Sequence, residues 1–185
     1  MHYPQQRSGW IRDRGLGLIH IYYGQGAGKT SRAVGLAIRA AGDSLRVDFV
    51  QFMKSGTSGE VAIFNRIPNI HYWCPGKHPF IMSRGAEPVH HEHAAQGLKY
   101  AREAIERGTN LLICDEILDT LIFKLFPKEQ LLELVENCRR HKIELVMTGR
   151  SAPPELIEAA DYVTEFVYKK HPYYNGSRAR KGIEY

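Results

Sequence analysis

The sequence predicts an α/β fold, a mostly parallel central sheet with helices on both faces. Three observations carry that expectation. Short apolar runs alternate with segments of helical periodicity along nearly the whole chain. The first run leads through a glycine-rich loop, Gly24–Thr30, into a helix. A later run, Leu111–Glu116, is almost wholly apolar until it ends in two carboxylates. Strands that alternate with helices pair in parallel and bury both faces.

The elements follow in order. Leu16–Tyr23 is a glycine-bounded apolar run, expected as a buried strand. Lys29–Ala41 carries Ala33, Leu36, Ala37 and Ala40 at helical spacing, with Gly42 as its stop. Arg46–Phe52 and Ile67–Trp73 read as strands two and three, and Pro88–Arg107 as a helix ending at Gly108. Asn110–Ile117 is the most apolar strand. Pro127–Arg140 is amphipathic, with Leu131, Leu132, Leu134 and Val135 inward and Pro127 at its entry. Ile143–Thr148 is another buried strand, Pro153–Ala160 a short helix and Tyr162–Val167 a last strand. Ser55–Gly59 and Cys74–Glu87 are expected as irregular loops.

A chain of 185 residues, 43% hydrophobic and 24% charged, has the size and composition of one soluble globular domain over 1–185. Residues 1–16 are expected to be a flexible N-terminal segment. Cys74, Cys114 and Cys138 are odd in number and far apart, so no disulfide framework is implied and Cys114 and Cys138 are expected in the core. Nothing resembles a secretory signal or a membrane span, and a reducing, cytoplasmic setting is expected. The formal charge of +5 suits an anionic partner. Its basic residues are dispersed and no nucleic-acid-binding signature accompanies them, so a polyphosphate explains the charge as well as nucleic acid does.

Gly24-Gln25-Gly26-Ala27-Gly28-Lys29-Thr30 lies where a strand gives way to a helix. Its glycines allow the backbone to turn N–H groups toward phosphates, the helix start adds a positive dipole end, and Lys29 adds a full charge. The Thr30 hydroxyl can ligate Mg²⁺. Three residues separate Gly24 from Gly28, one fewer than in the common phosphate-loop pattern. Asp115 and Glu116 sit at the carboxyl end of their strand, the edge where open parallel sheets bind ligands. Strand alternation points them to opposite faces, so one is expected to reach a metal directly.

Further blocks recur in order: Val50-Gln51-Phe52-x-Lys54, Asp115-Glu116, Thr148-Gly149-Arg150, and a tail running Lys170-His171-Pro172-Tyr173, Gly176, Ala179, Gly182-Ile183-Glu184-Tyr185. With the shortened loop, they resemble the P-loop corrinoid adenosyltransferases from Gly17 onward. The resemblance implies a RecA-like P-loop sheet that binds Mg·ATP in the reverse sense from most P-loop proteins, exposing the ribose C5′. It places Gly24 through Thr30 and Ser31 on the phosphates, with Arg39, Arg150 and His171 also at the ATP site. Thr30 and Glu116 match its magnesium ligands. Cob(I)alamin or a precursor would attack C5′ and triphosphate would leave, with no protein nucleophile. A homodimer and an electron donor for Co(II) are implied as partners, with no nucleic acid and no membrane.

The family usually carries Gly-Phe-Thr-Trp after the third strand. Here Gly76-Lys77-His78-Pro79-Phe80-Ile81-Met82 stands in its place, so Phe80 and Met82 are the corrinoid-facing candidates. His90, His91 and His93 are expected on a solvated helix start, since no cysteine completes a zinc pattern. Two rivals remain at this point: a γ-phosphoryl-transferring kinase or ATPase, and a non-catalytic ATP- or corrinoid-binding protein.

Overall fold

The computed structural model describes residues 15–185 apart from Arg84. The flexible segment expected over 1–16 therefore falls, up to residue 14, outside the described residues.

Among the described residues six strands form one sheet in the order β3-β2-β4-β5-β1-β6, and every pairing of these strands is parallel. They are β1 (Ile19–Tyr23), β2 (Val47–Gln51), β3 (Ile70–Trp73), β4 (Leu111–Asp115), β5 (Glu144–Thr148) and β6 (Tyr162–Glu165). The four helices of the sequence reading are α1 (Lys29–Gly42), α3 (Pro88–Glu106), α5 (Glu129–Arg140) and the short α6 (Pro154–Ala159). Two short ones are additional, α2 (Gly59–Phe64) and α4 (Asp119–Ile122), with a 3-10 turn at Pro172–Asn175. β2 and β4 are buried along their whole length, as strands covered on both faces must be.

The core has two layers. On one face α1 lays Ala33, Ala37 and Ala40 against Val47, Phe49 and Ile113, and α2 adds Phe64. On the other, Leu98 and Ala101 of α3 and Leu131, Leu134 and Cys138 of α5 pack on Ile21, Leu112 and Leu145. The small alanines of α1 let that helix sit close to the sheet, which fixes where its N-terminus points. Cys114 and Cys138 are buried, as expected.

Several ends are shorter than the apolar runs suggested, because apolar side chains continue past the last paired residue. Leu16–Leu18 lead into β1 without joining it, and Val167 lies beyond β6 and is exposed. The expected Ser55–Gly59 loop is present, but its last residue already opens α2.

Candidate active site at the carboxyl edge of the sheet

The Gly24–Gly28 loop joins β1 to α1 and is clamped by the chain running on from β6. Gly24 N–H donates to Arg150 O at 3.2 Å, Gly26 N–H to Phe166 O at 2.7 Å, and Phe166 N–H to Tyr23 O at 2.7 Å. A Cβ on Gly24 would stand 2.4 Å from Phe166 O, and one on Gly26 2.7 Å from Phe166 C. Gly24 and Gly28 also hold φ of 110° and 108°, the left-handed region that favours glycine. α1 opens with no acidic residue in its first turn, so its positive end is uncompensated and suits an anion. Lys29 folds back over the loop, donating to Gly24 O at 2.6 Å and Gly26 O at 2.8 Å. Burial lowers its pKa, outweighing the raising fields of Asp119, Glu116 and Asp115.

Behind the loop sits Asp115, fully buried at the end of β4. Its carboxylate accepts from Thr148 Oγ1 at 2.7 Å, Thr30 Oγ1 at 3.0 Å, Lys54 Nζ at 2.7 Å and Gln51 Nε2 at 3.2 Å. A buried carboxylate needs this much compensation. Because the Thr30 hydroxyl spends its proton on Asp115, its lone pairs face away from the strand, as a metal ligand requires.

Glu116 breaks the strand. Its φ is 62°, its N–H donates to Thr148 Oγ1 at 2.8 Å, and its side chain remains 33% exposed. Strand alternation therefore does not separate the two acids: Lys54 Nζ lies 2.7 Å from Asp115 and 3.5 Å from Glu116. Burial pushes Glu116 up to about 7, against the lowering pull of Lys54. For Lys54 itself burial lowers the pKa, but Asp115 and Glu116 outweigh it and the value stands raised.

A cleft of about 660 Å³ opens from Thr30, Lys54 and Glu116 toward Phe80, Phe123 and Arg150. Its lining combines charged groups of Lys54, Glu116, Asp119 and Arg150 with the rings of Phe80 and Phe123. A second groove of about 740 Å³, lined by residues such as Leu121, Phe126 and Pro153, includes neither the loop nor the carboxylates. The cleft beside Thr30 is thus where phosphate chemistry could occur. Among the described residues no cluster of three or more His, Cys, Asp or Glu could hold a metal on its own. Mg²⁺ does not need one, since it binds through one or two protein oxygens plus substrate phosphates.

A family model described as ATP:corrinoid adenosyltransferase BtuR/CobO/CobP matches residues 15–185. The chain belongs to that family. It is similar to a corrinoid adenosyltransferase of Pseudomonas aeruginosa, 34% identical over 176 residues that span 94% of this chain and 85% of the relative. A corrinoid adenosyltransferase of Escherichia coli K12 is 28% identical over 188 residues, covering 91% and 86%. The corrinoid adenosyltransferase CobA of Salmonella typhimurium is 25% identical over 210 residues, covering 98% and 97%.

Most expected ATP-site residues converge. Gly24, Gln25, Gly26, Ala27 and Gly28 form the loop, Lys29 and Thr30 open α1, and Ser31 and Thr30 line a smaller recess of about 310 Å³ with Lys54 and Glu184. Arg150 is fixed beside them by Asp119, which accepts from its N–H at 2.6 Å and its Nε at 2.8 Å. Arg39 is not brought there. It is exposed in the last turn of α1, roughly 15 Å along the helix from Lys29 at 1.5 Å per residue. His171 packs edge-on to Tyr168 and Tyr174, with ring centroids 5.8 and 6.2 Å away.

Phe80 lines the cleft and is 91% exposed. Met82 is also exposed but closes a turn, its carbonyl accepting from Gly85 N–H at 2.9 Å. Neither serves to pack its loop against the sheet. The solvated reading fits the exposed His91, whose Nδ1 also reaches Leu125 O at 3.1 Å, but neither the half-buried His93, whose Nδ1 lies 3.0 Å from that of His78, nor His90, which is buried. Its Nδ1 accepts from Glu87 N–H at 2.8 Å and its Nε2 donates to Pro79 O at 3.1 Å, tying the Phe80 loop to α3. The sequence reading missed Asp119 and Phe166 altogether and assigned Lys54 and Thr148 no role. Lys54 and Thr148 stood inside motifs already noted, so those motifs were the available signal; Phe166 acts through its backbone and had none.

Proposed function

We propose that this chain transfers the 5′-deoxyadenosyl group of ATP to the Co(I) of a corrinoid, cobalamin or a precursor, and releases triphosphate. The observation that supports it best is the continuity of one cleft from Thr30 and Glu116 to the exposed ring of Phe80. A polyphosphate at the loop and a flat apolar ring system at Phe80 would share it.

In this reading the Co(I) electron pair attacks C5′, the C5′–O bond breaks, and triphosphate leaves with those electrons. Co(I) is itself the nucleophile, so the protein's work is positioning and charge stabilisation. Loop N–H groups, the α1 N-terminus and Lys29 would hold the triphosphate as its charge develops. Lys29 would exchange its two loop carbonyls for phosphate oxygens. Thr30 and Glu116 would hold Mg²⁺, while Asp115 orients the Thr30 hydroxyl from behind. Mg²⁺, when bound, supplies charge neutralisation on the phosphates.

Phe80 would bear on the lower cobalt face and displace its axial ligand, with Met82 beside it once the loop closes. Losing that donor favours reduction, because it stabilises Co(II) more than Co(I). An external electron donor and a second copy of the chain complete the reading. No described helix is long and apolar enough to cross a membrane, and the free cysteines suit a reducing cytoplasm.

The test is incubation with Mg·ATP and chemically reduced corrinoid. The expected result is the adenosyl-corrinoid spectrum together with triphosphate by phosphorus NMR. ADP and phosphate without adenosyl-corrinoid would reject it in favour of phosphoryl transfer.

A further inference from the structure

The Lys54 ammonium stands among the same oxygens that Mg²⁺ would use. Lys54 Nζ lies 3.1 Å from Thr30 Oγ1, 2.7 Å from Asp115 Oδ2 and 3.5 Å from Glu116 Oε1. The Thr30 hydroxyl donates to Asp115, so Lys54 occupies one of the two lone pairs through which it could hold a metal. Lys54 follows Met53, whose φ of 53° turns the chain sharply out of β2. Its side chain is only 22% exposed. Even so, Lys54 lines both the larger cleft and the smaller recess beside Ser31.

A monovalent and a divalent cation a few ångströms apart on one set of oxygens repel each other strongly, so the arrival of one weakens the hold on the other. A lysine can leave: four flexible methylenes carry its charge, and its three donors need no fixed geometry. The recess it lines beside Thr30 and Ser31 is where phosphate oxygens would lie, and an ammonium is well suited to them.

We propose that Lys54 is an exchangeable counter-ion: it holds Asp115, Thr30 and Glu116 together until Mg²⁺ displaces it, and it then pairs with the polyphosphate. Lys54 is thereby a positioning residue for the metal ligands first and a binding residue for the leaving triphosphate second. The exchange couples the two substrate components. Mg²⁺ entering alone must expel an ammonium that has nowhere to go, whereas Mg²⁺ entering with a polyphosphate brings the expelled ammonium a new anion. Metal binding without nucleotide should accordingly be weak, and metal binding with nucleotide strong.

This inference rests on the polyphosphate reading of the loop, and its test separates the two. Mn²⁺ binding to the full chain is followed by electron paramagnetic resonance, without and with tripolyphosphate. In the unsubstituted protein Mn²⁺ should bind weakly alone and roughly tenfold or more tightly with tripolyphosphate. In Lys54→Met, Mn²⁺ alone should bind about tenfold more tightly than in the unsubstituted protein, because its competitor is gone. In the same variant the gain from tripolyphosphate should shrink. Lys54→Gln keeps an N–H donor for Asp115, so it should show the same pattern should the methionine variant fold poorly. Unchanged or weaker binding of Mn²⁺ alone in the variants overturns the counter-ion role. An undiminished tripolyphosphate gain overturns the pairing with phosphate. Failure of the unsubstituted protein to bind tripolyphosphate at all overturns the loop assignment instead.

Discussion

Thr148 is the most informative single residue to perturb. Its hydroxyl is fully buried, donates to Asp115 Oδ1 at 2.7 Å and accepts from Glu116 N–H at 2.8 Å. Thr148→Val keeps the shape and removes both bonds. A hydrogen bond to a charged acceptor contributes about 1.5–3 kcal/mol, and an orphaned donor costs roughly 1 kcal/mol or more. The expected loss is therefore about 3–4 kcal/mol. At an m-value of roughly 2 kcal/mol/M this lowers the urea midpoint by about 1.5–2 M. Thr148→Ser retains both bonds and gives up one methyl, so it should lose only about 1 kcal/mol. Equilibrium urea unfolding of both variants is the measurement. A valine variant within about 1 kcal/mol of the parent, or a serine variant as damaged as the valine one, would refute the claim that this hydroxyl holds the two acids.

The remaining expectations concern other parts of the cleft. Lys29→Ala removes the principal loop cation and should abolish adenosylation; a contact of this kind contributes roughly 1.5–3 kcal/mol in ordinary settings and more in a transition state, and near-normal turnover would sink the loop assignment. Phe80→Ala should lose activity with Co(II) corrinoid under a mild reductant yet keep much of it with corrinoid supplied as Co(I). Equal loss in both assays would remove Phe80 from the cobalt face. The contribution of His78 to folding stability should fall as the pH drops from 6.5 toward 4, because burial lowers its pKa from the ordinary 6.5 to about 4, with His93 and His90 adding to the shift. In that window the unfolded chain binds a proton at this site that the folded one refuses, while Glu116, raised to about 7, acts in the opposite sense. His78→Asn should therefore gain stability relative to the parent as the pH falls, as read by thermal unfolding of both at stepped pH, and a constant difference between them counts against it.

The succession of strands and helices and the phosphate loop were legible in the sequence because each rests on local pattern. Apolar runs, helical spacing and the Gly-Lys-Thr helix start all lie within a few residues of one another. What escaped was set by contacts between distant residues. Lys54 meets Thr30 across 24 positions and Asp115 across 61, and no periodicity encodes such a meeting. Glu116 was set apart from Asp115 by alternation and matched to the metal by the resemblance, but its φ of 62° ends the strand at Asp115, two residues short of the expected Ile117. Polar residues at a helix start usually face water. His90 is buried because both ring nitrogens find partners in the Glu87–His90 turn and at Pro79. α2 has a single buried residue, Phe64, too weak a stripe to stand out from a loop.

The hold of Phe166 on Gly24 and Gly26 makes the length of the phosphate loop a property of the sheet's edge. Loop and edge are laced by backbone hydrogen bonds at Tyr23 and Gly26, with Gly24 in close contact with Phe166 between them. Inserting one residue to recover the commoner spacing would push either Gly24 away from Arg150 or Gly26 away from Phe166. The chain leaving β6 would then have to shift register to follow. Loop length here cannot drift by single steps, as it can in a free surface loop. Lengthening it requires a compensating change some 140 positions downstream, at the Phe166 end of the lacing. A loop graft from a longer-looped protein should therefore carry the matching edge strand with it.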